Sequence, residues 1–211
     1  MRRGLLVLVL LLSACAPAPP RQGALAPGQV QQAWQLRQAQ LECLDAWRLQ
    51  GRLSILAEGE RRVLRLRWLQ RQEAFEMALS APLNLGGGAR LHGDGQRVVL
   101  QQGGGEQVFA ASPDEVLAQQ LGLQVPVQAL RRWVLGLPAG PAEVGALDGA
   151  GRPLWLSGGG WRIDIESWQA VPATPALPQR LTVQGPSLRL TLLIDAWELL
   201  AAPCQMGGSR E

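Results

Sequence analysis

The sequence has no lysine and no tyrosine, and His92 is its only histidine. Every basic residue is therefore arginine. With one histidine and three cysteines, no Cys/His spacing of the zinc-binding kind exists, and a metal is not expected. A Ser–His nucleophile would have to use His92, but Gly93 beside it marks a turn and no Gly-x-Ser-x-Gly segment is present. Asp164 and Glu166 share one face of an expected strand, which is common on solvated strands. An enzyme is not expected. No basic run is interleaved with aromatics, which argues against a nucleic-acid partner. The formal charge is +3, and falls to +1 without the first 14 residues, which carry Arg2 and Arg3 and no acid. A hydrophobic content of 47% excludes a disordered chain. The longest apolar run, residues 4–12, is far short of the roughly 20 residues that span a bilayer.

That run has a different meaning. Met1-Arg2-Arg3 is positive, "GLLVLVLLL" is apolar, and Ser13 and Ala14 are small, as in a secretory signal. Leu12-Ser13-Ala14-Cys15 resembles a bacterial lipobox. The resemblance implies that residues 1–14 are removed and that Cys15 carries the lipid anchor. Ala16 stands where an aspartate would signal retention at the inner membrane, so the expected location is the periplasmic face of a Gram-negative outer membrane. Residues 15–27 hold the lipidated cysteine and a proline-rich tether, which spans about 3.1 Å per residue if extended as polyproline II. A single domain is expected over 28–200, with a tail over 201–211. Cys43 and Cys204 could pair in an oxidising compartment or remain two buried thiols.

Residues 28–46 show helical spacing, with Val30, Trp34, Leu41 and Leu44 near one stripe. From Trp47 the period becomes two: Trp47, Leu49, Gly51, Leu53 and Ile55 alternate with polar residues. The same pattern recurs in "VLRLRWLQ", "EAFEMALS", "RVVLQQ" and "EQVFA", with turns at Glu58-Gly59 and Arg71-Gln72. Ser112-Pro113-Asp114-Glu115 is a helix start with a capping box, and Gly122 a stop. "PVQALRRWVLG" is a second short helix. Alternation resumes in "RPLWLSGG", "GWRIDIESW", "QRLTVQG" and "LRLTLLIDAW". No strand–helix–strand repetition occurs, so the sheet is expected to be antiparallel.

About eleven strands and three helices predict a mainly β (α+β) fold, an incomplete antiparallel barrel with covering helices. Its apolar face carries Leu53, Ile55, Leu64, Leu66, Trp68, Phe75, Met77 and Leu79 from the first strands. Trp161, Ile163, Leu190, Leu192 and Ile194 come from the last ones, with Trp133 from the second short helix. Singly, such residues are usually core. Together on a broad half-barrel they point to an apolar cavity.

"GRL" at 51–53, "APLN" at 81–84, "PVQALRRWVLGLP" at 126–138, "GWRIDIESW" at 160–168, "LPQRLTV" at 177–183 and "LRLTLLIDAW" at 188–197 resemble the LolB family. The resemblance implies an outer-membrane receptor that takes lipoprotein acyl chains from the periplasmic carrier LolA and inserts them in the outer membrane, without a cofactor and as a monomer. It also implies membrane contact by Leu83, shared with Leu85 because "NLGGG" departs from the family pattern. Outward arginines such as Arg65 and Arg67 could meet an acidic carrier. The alternative is an assembly lipoprotein with a packed core and a protein partner.

Overall fold

The computed structural model describes residues 26–81, 88–94, 96–140 and 143–201. The first element, α1 (Pro27–Glu42), starts with proline in its first turn, where the missing N–H costs nothing. The Gln29 side chain accepts the Ala26 N–H at 3.0 Å. The helix ends four residues short of the expected Ala46, and the chain passes directly into the sheet.

Six strands follow: β1 (Ala46–Ala57), β2 (Glu60–Arg71), β3 (Ala74–Ser80), β4 (Ala89–Gly93), β5 (Val98–Gln102) and β6 (Gly105–Phe109). Then come α2 (Pro113–Leu121), α3 (Val127–Trp133) and five more strands. These are β7 (Glu143–Val144), β8 (Trp155–Gly158), β9 (Trp161–Gln169), β10 (Leu177–Gln184) and β11 (Leu188–Leu199). The order is β6-β5-β4-β3-β2-β1-β11-β10-β9-β8-β7, an open sheet of eleven strands with every pairing antiparallel. Two meanders are thus joined where the first strand pairs with the last.

Two expectations are corrected. His92 is not in a turn; it lies within β4, opposite Glu76 of β3 and Val99 of β5. The β2–β3 turn is Gln72-Glu73, one residue later than expected, with Gln72 at φ +51°.

Alternation sorts the faces. Trp47, Leu49, Ile55, Leu66, Trp68 and Met77 are buried on the inner face, with Arg65 and Arg67 exposed on the other. The β1–β11 register slips at Gln50/Gly51, so that Gln50 faces Ala196 and Gly51 faces Ile194. This bulge lets both Ile194 and Trp197 turn inwards, although they stand three residues apart. Trp47 then holds Trp68 at 5.1 Å and Trp197 at 5.4 Å, both edge-on. Gly51 is required here, because a Cβ would overlap the Leu193 carbonyl oxygen. At the same end of the barrel Gln70 points inwards. Its amide oxygen accepts Trp68 Nε1–H at 3.0 Å, and its nitrogen donates to the Gln72 and Ala74 carbonyls at 2.6 and 3.2 Å. One buried amide therefore satisfies a buried indole and the β2–β3 turn.

Candidate functional site: an apolar interior under a two-helix lid

The concave face of the sheet and the helices α2 and α3 enclose a space lined only by apolar side chains. The sheet contributes Leu53, Ile55, Leu66, Trp68, Met77, Leu79, Leu91, Leu181, Val183, Leu190 and Leu192. The helices and their connection contribute Leu117, Leu123, Val125, Val127 and Leu130. The open volume is about 50 Å³, room for no more than a few waters. The interior is filled by its own side chains. This space meets a larger one, of about 590 Å³, at Ile55, Leu79 and Leu123. That mouth is walled by Leu64, Ala81, Gly88, Ala89 and Leu121, with Glu58, Glu60 and Arg62 at its rim. Arg62 and Glu60 pair there at 3.0 Å.

The lid is a coupled unit. Ser112 caps α2: its Oγ accepts the Glu115 N–H at 3.3 Å, and the Glu115 carboxylate accepts the Ser112 N–H at 2.9 Å. Gly122, at φ +65°, ends the helix. Pro126 offers α3 no side-chain cap. Asp114 of α2 supplies one instead, its Oδ1 accepting the Val127 N–H at 2.7 Å. Burial pushes the Asp114 carboxyl above its ordinary range, against the pull of the Val127 and Gln128 N–H groups.

Three arginines tie α3 to the barrel. Arg132 makes a two-pronged pair with Glu42 of α1, at 2.6 and 2.9 Å, and donates from Nε to the Pro138 carbonyl. The Arg132 hydrogen bonds hold the Glu42 carboxyl below the usual range. Arg131 reaches Glu73 in the β2–β3 turn at 3.1 Å. Arg37 of α1 is buried and donates to the Ala176 and Leu135 carbonyls at 2.6 and 3.2 Å. Its guanidinium lies 4.4 Å from the Trp168 ring centre. Burial, with Arg152 close by, lowers it to about 10, so it stays charged near neutrality. Gly136, at φ +75°, lets the chain leave α3 against the same ring; a Cβ would come within 2.7 Å of Trp168 Cη2.

Of the expected cavity residues, Leu53, Ile55, Leu66, Trp68, Met77, Leu79, Leu190 and Leu192 line the interior, and Leu64 lines the mouth. Five do not line either space. Ile163 and Ile194 are fully buried in the sheet packing, and Phe75 packs at the far end, opposite Gly93. Trp133 packs against Trp161 at 6.1 Å. Alternation gives the face of a strand but not the position along it, which is what separates the four strand residues from the lining; Trp133 is on α3. The lid residues and Leu91, Leu181 and Val183 were missed, although Leu117 and Val127 stand on the apolar sides of the expected helices.

Cys15, Leu83, Leu85 and Cys204 lie outside the described residues. Ala81 and Gly88, which flank the segment bearing Leu83 and Leu85, both line the mouth. Cys43 is disulfide-bonded. Among the described residues no group of His, Cys, Asp or Glu side chains could hold a metal, and no helix is long and apolar enough to cross a membrane. Asp164 and Glu166 are engaged by Arg162 at 2.9 Å and Arg180 at 2.6 Å.

The architecture is shared with solved structures. A LolA-superfamily protein from Nitrosomonas europaea superposes with a TM-score of 0.53 at 11% identity, over 85% of this chain and 96% of that one. A putative outer-membrane lipoprotein-sorting protein domain from Vibrio parahaemolyticus gives 0.52 at 11%, over 82% and 93%. At such identity these establish the fold alone. The outer-membrane lipoprotein LolB of Nitrosococcus oceani is 39% identical over 197 residues, covering 92% of this chain and 96% of that protein. LolB of Halorhodospira halophila is 38% identical over 201 residues, covering 91% and 92%. The family profile described as "Outer membrane lipoprotein LolB" matches residues 45–197, from the residue before β1 to Trp197 within β11. The chain belongs to the LolB family of outer-membrane lipoproteins, a non-enzymatic part of the lipoprotein-localisation system.

Proposed function

We propose that this chain stands on the periplasmic face of the outer membrane, anchored by Cys15. There it accepts lipoprotein acyl chains from a LolA-like carrier and passes them to the bilayer. One observation carries this reading: an interior lined only by apolar side chains that opens, beneath a two-helix lid, on a wide mouth. Each methylene withdrawn from water is worth about 0.8 kcal/mol, so a diacyl tail does not cross water unaided. A mouth presented to the carrier's mouth removes that barrier. The interior holds about 50 Å³, so an entering chain must displace the lid residues Leu117, Val127 and Leu130 from the sheet. The ties from Glu42, Glu73 and Asp114 set how readily α2 and α3 move. Leu83 and Leu85 belong to the segment between Ala81 and Gly88, two residues that line the mouth, and that segment is assigned the contact with the bilayer as the tail leaves.

The test mixes a Cys15→Ala form with purified carrier holding a radiolabelled lipoprotein. Label should move to this protein, and a Leu66→Trp change, which fills the interior, should prevent it. Label that stays on the carrier would instead favour an assembly lipoprotein with a packed core.

A further inference from the structure

Among the described residues the open sheet has two free edges, and they are built differently. At one, β7 is only two residues long, too short to template another strand. At the other, β6 offers five residues, four of them exposed. Gly103 and Gly104, at φ +61° and +83°, form a two-residue hairpin between β5 and β6. In such a hairpin the closing pair, Gln102 and Gly105, exchanges hydrogen bonds. Alternation then makes Leu100/Gln107 and Val98/Phe109 the other bonded pairs. The N–H and C=O groups of Glu106 and Val108 consequently point away from β5, off the open edge. The Val108 side chain is 66% exposed, more than any other large hydrophobic among the described residues.

This edge starts at the mouth. Gln102 lines the mouth, and Gly103, Gly104, Gly105 and Glu106 line an adjoining groove of about 480 Å³ with Gly88 and Ala89. An acylated cysteine whose tails lie under the lid leaves its own peptide at this rim. We propose that the free edge of β6 takes up the N-terminal peptide of the acylated cargo as an added antiparallel strand, through the main chain of Glu106 and Val108. The proposal rests on the acyl-chain reading above. Main-chain pairing is indifferent to side chains, which suits a receptor whose cargoes share a lipid and differ in the residues that follow it.

The test compares two ligands on the Cys15→Ala chain: a diacylglyceryl-cysteinyl octapeptide and the same diacylglyceryl-cysteine amide without the peptide. The octapeptide should bind roughly tenfold more tightly, since two strand residues supply up to four main-chain bonds. Val108→Pro removes an outward N–H without touching the β5 ladder, and should erase the preference while leaving the amide's affinity unchanged. Val108→Thr should keep it. N-methylation of alternate peptide amides should weaken binding with a period of two, a readout independent of the variants' folding. Equal affinity of the unaltered chain for the two ligands overturns the inference while leaving the acyl-chain reading intact. Failure of both ligands to bind overturns that reading and the inference with it. A dimer abolished by Val108→Pro would assign the edge to a second copy and also overturn it.

Discussion

The Asp114 carboxylate, in the first turn of α2, caps α3 by accepting the Val127 N–H at 2.7 Å. One side chain thus makes a single body of two short helices, neither of which would be stable alone. Asp114→Asn keeps an acceptor oxygen and should cost little. Asp114→Ala leaves the α3 amides uncapped and should cost about 1 kcal/mol. Because the native carboxyl sits above its ordinary range, folding favours its protonated form. Stability from this group should rise as pH falls through its raised native value. Unfolding of the native chain and Asp114→Asn in urea, at pH 7 and pH 4.5, reads that difference.

Glu42 has the opposite sign. Its carboxyl is depressed by Arg132, so its contribution is present above the unfolded value of about 4.3 and is lost as pH falls through the lower native value. Both partners are partly exposed, which limits the pair to about 1 kcal/mol. Glu42→Gln should be less stable than the native chain at pH 7, and the two should converge in strong acid. The same change loosens α3, so acyl-chain uptake should be faster.

Gly136→Ala should lower stability by about 2–3 kcal/mol, from the left-handed backbone and the collision with Trp168. Its thermal midpoint should fall by several degrees. Gln70→Ala should cost a similar amount, because it strands the buried Trp68 Nε1–H and removes two part-buried bonds that hold the β2–β3 turn. Thermal unfolding of each variant checks both.

Leu83→Glu should separate the two halves of the proposed cycle. Uptake of label from the carrier should be unchanged, because the interior is untouched. Delivery from this protein to outer-membrane vesicles should fall severalfold, because a carboxylate resists the bilayer. Equal loss of both steps would move Leu83 from membrane contact to the receiving mouth.

The strands were legible because a period of two survives any tertiary detail, and Trp47, Leu49, Leu66, Trp68 and Met77 face the way their spacing says. The β4 strand was not, because His92 and Gly93 resemble a turn until Glu76 and Val99 are seen on either side of them. The bulge opposite Gly51 was hidden for a different reason. It is a relation between two strands, and the alternation of either alone carries no trace of it. In the site, most of the sheet half of the lining could be read from side-chain direction, though Leu91, Leu181 and Val183 were not. The lid half could not, since an amphipathic helix announces that it covers something but not what. The four inward strand residues that miss the interior, Phe75, Trp161, Ile163 and Ile194, show the same limit along a strand.

The pairing of β1 with β11 places the first and last strands side by side in the middle of the sheet, with Arg48 bridged to Glu198 across 150 residues of chain. A sheet built this way is two local meanders, β1–β6 and β7–β11, that meet only at this seam. The other pairings join consecutive strands, so this seam, which waits for the final strand, is expected to be the late step of folding. Until β11 is in place, β1 is paired on one side only, with β2, and its other edge stays open. The same wiring makes loss of the last twelve residues of the sheet a break through its centre rather than a frayed margin.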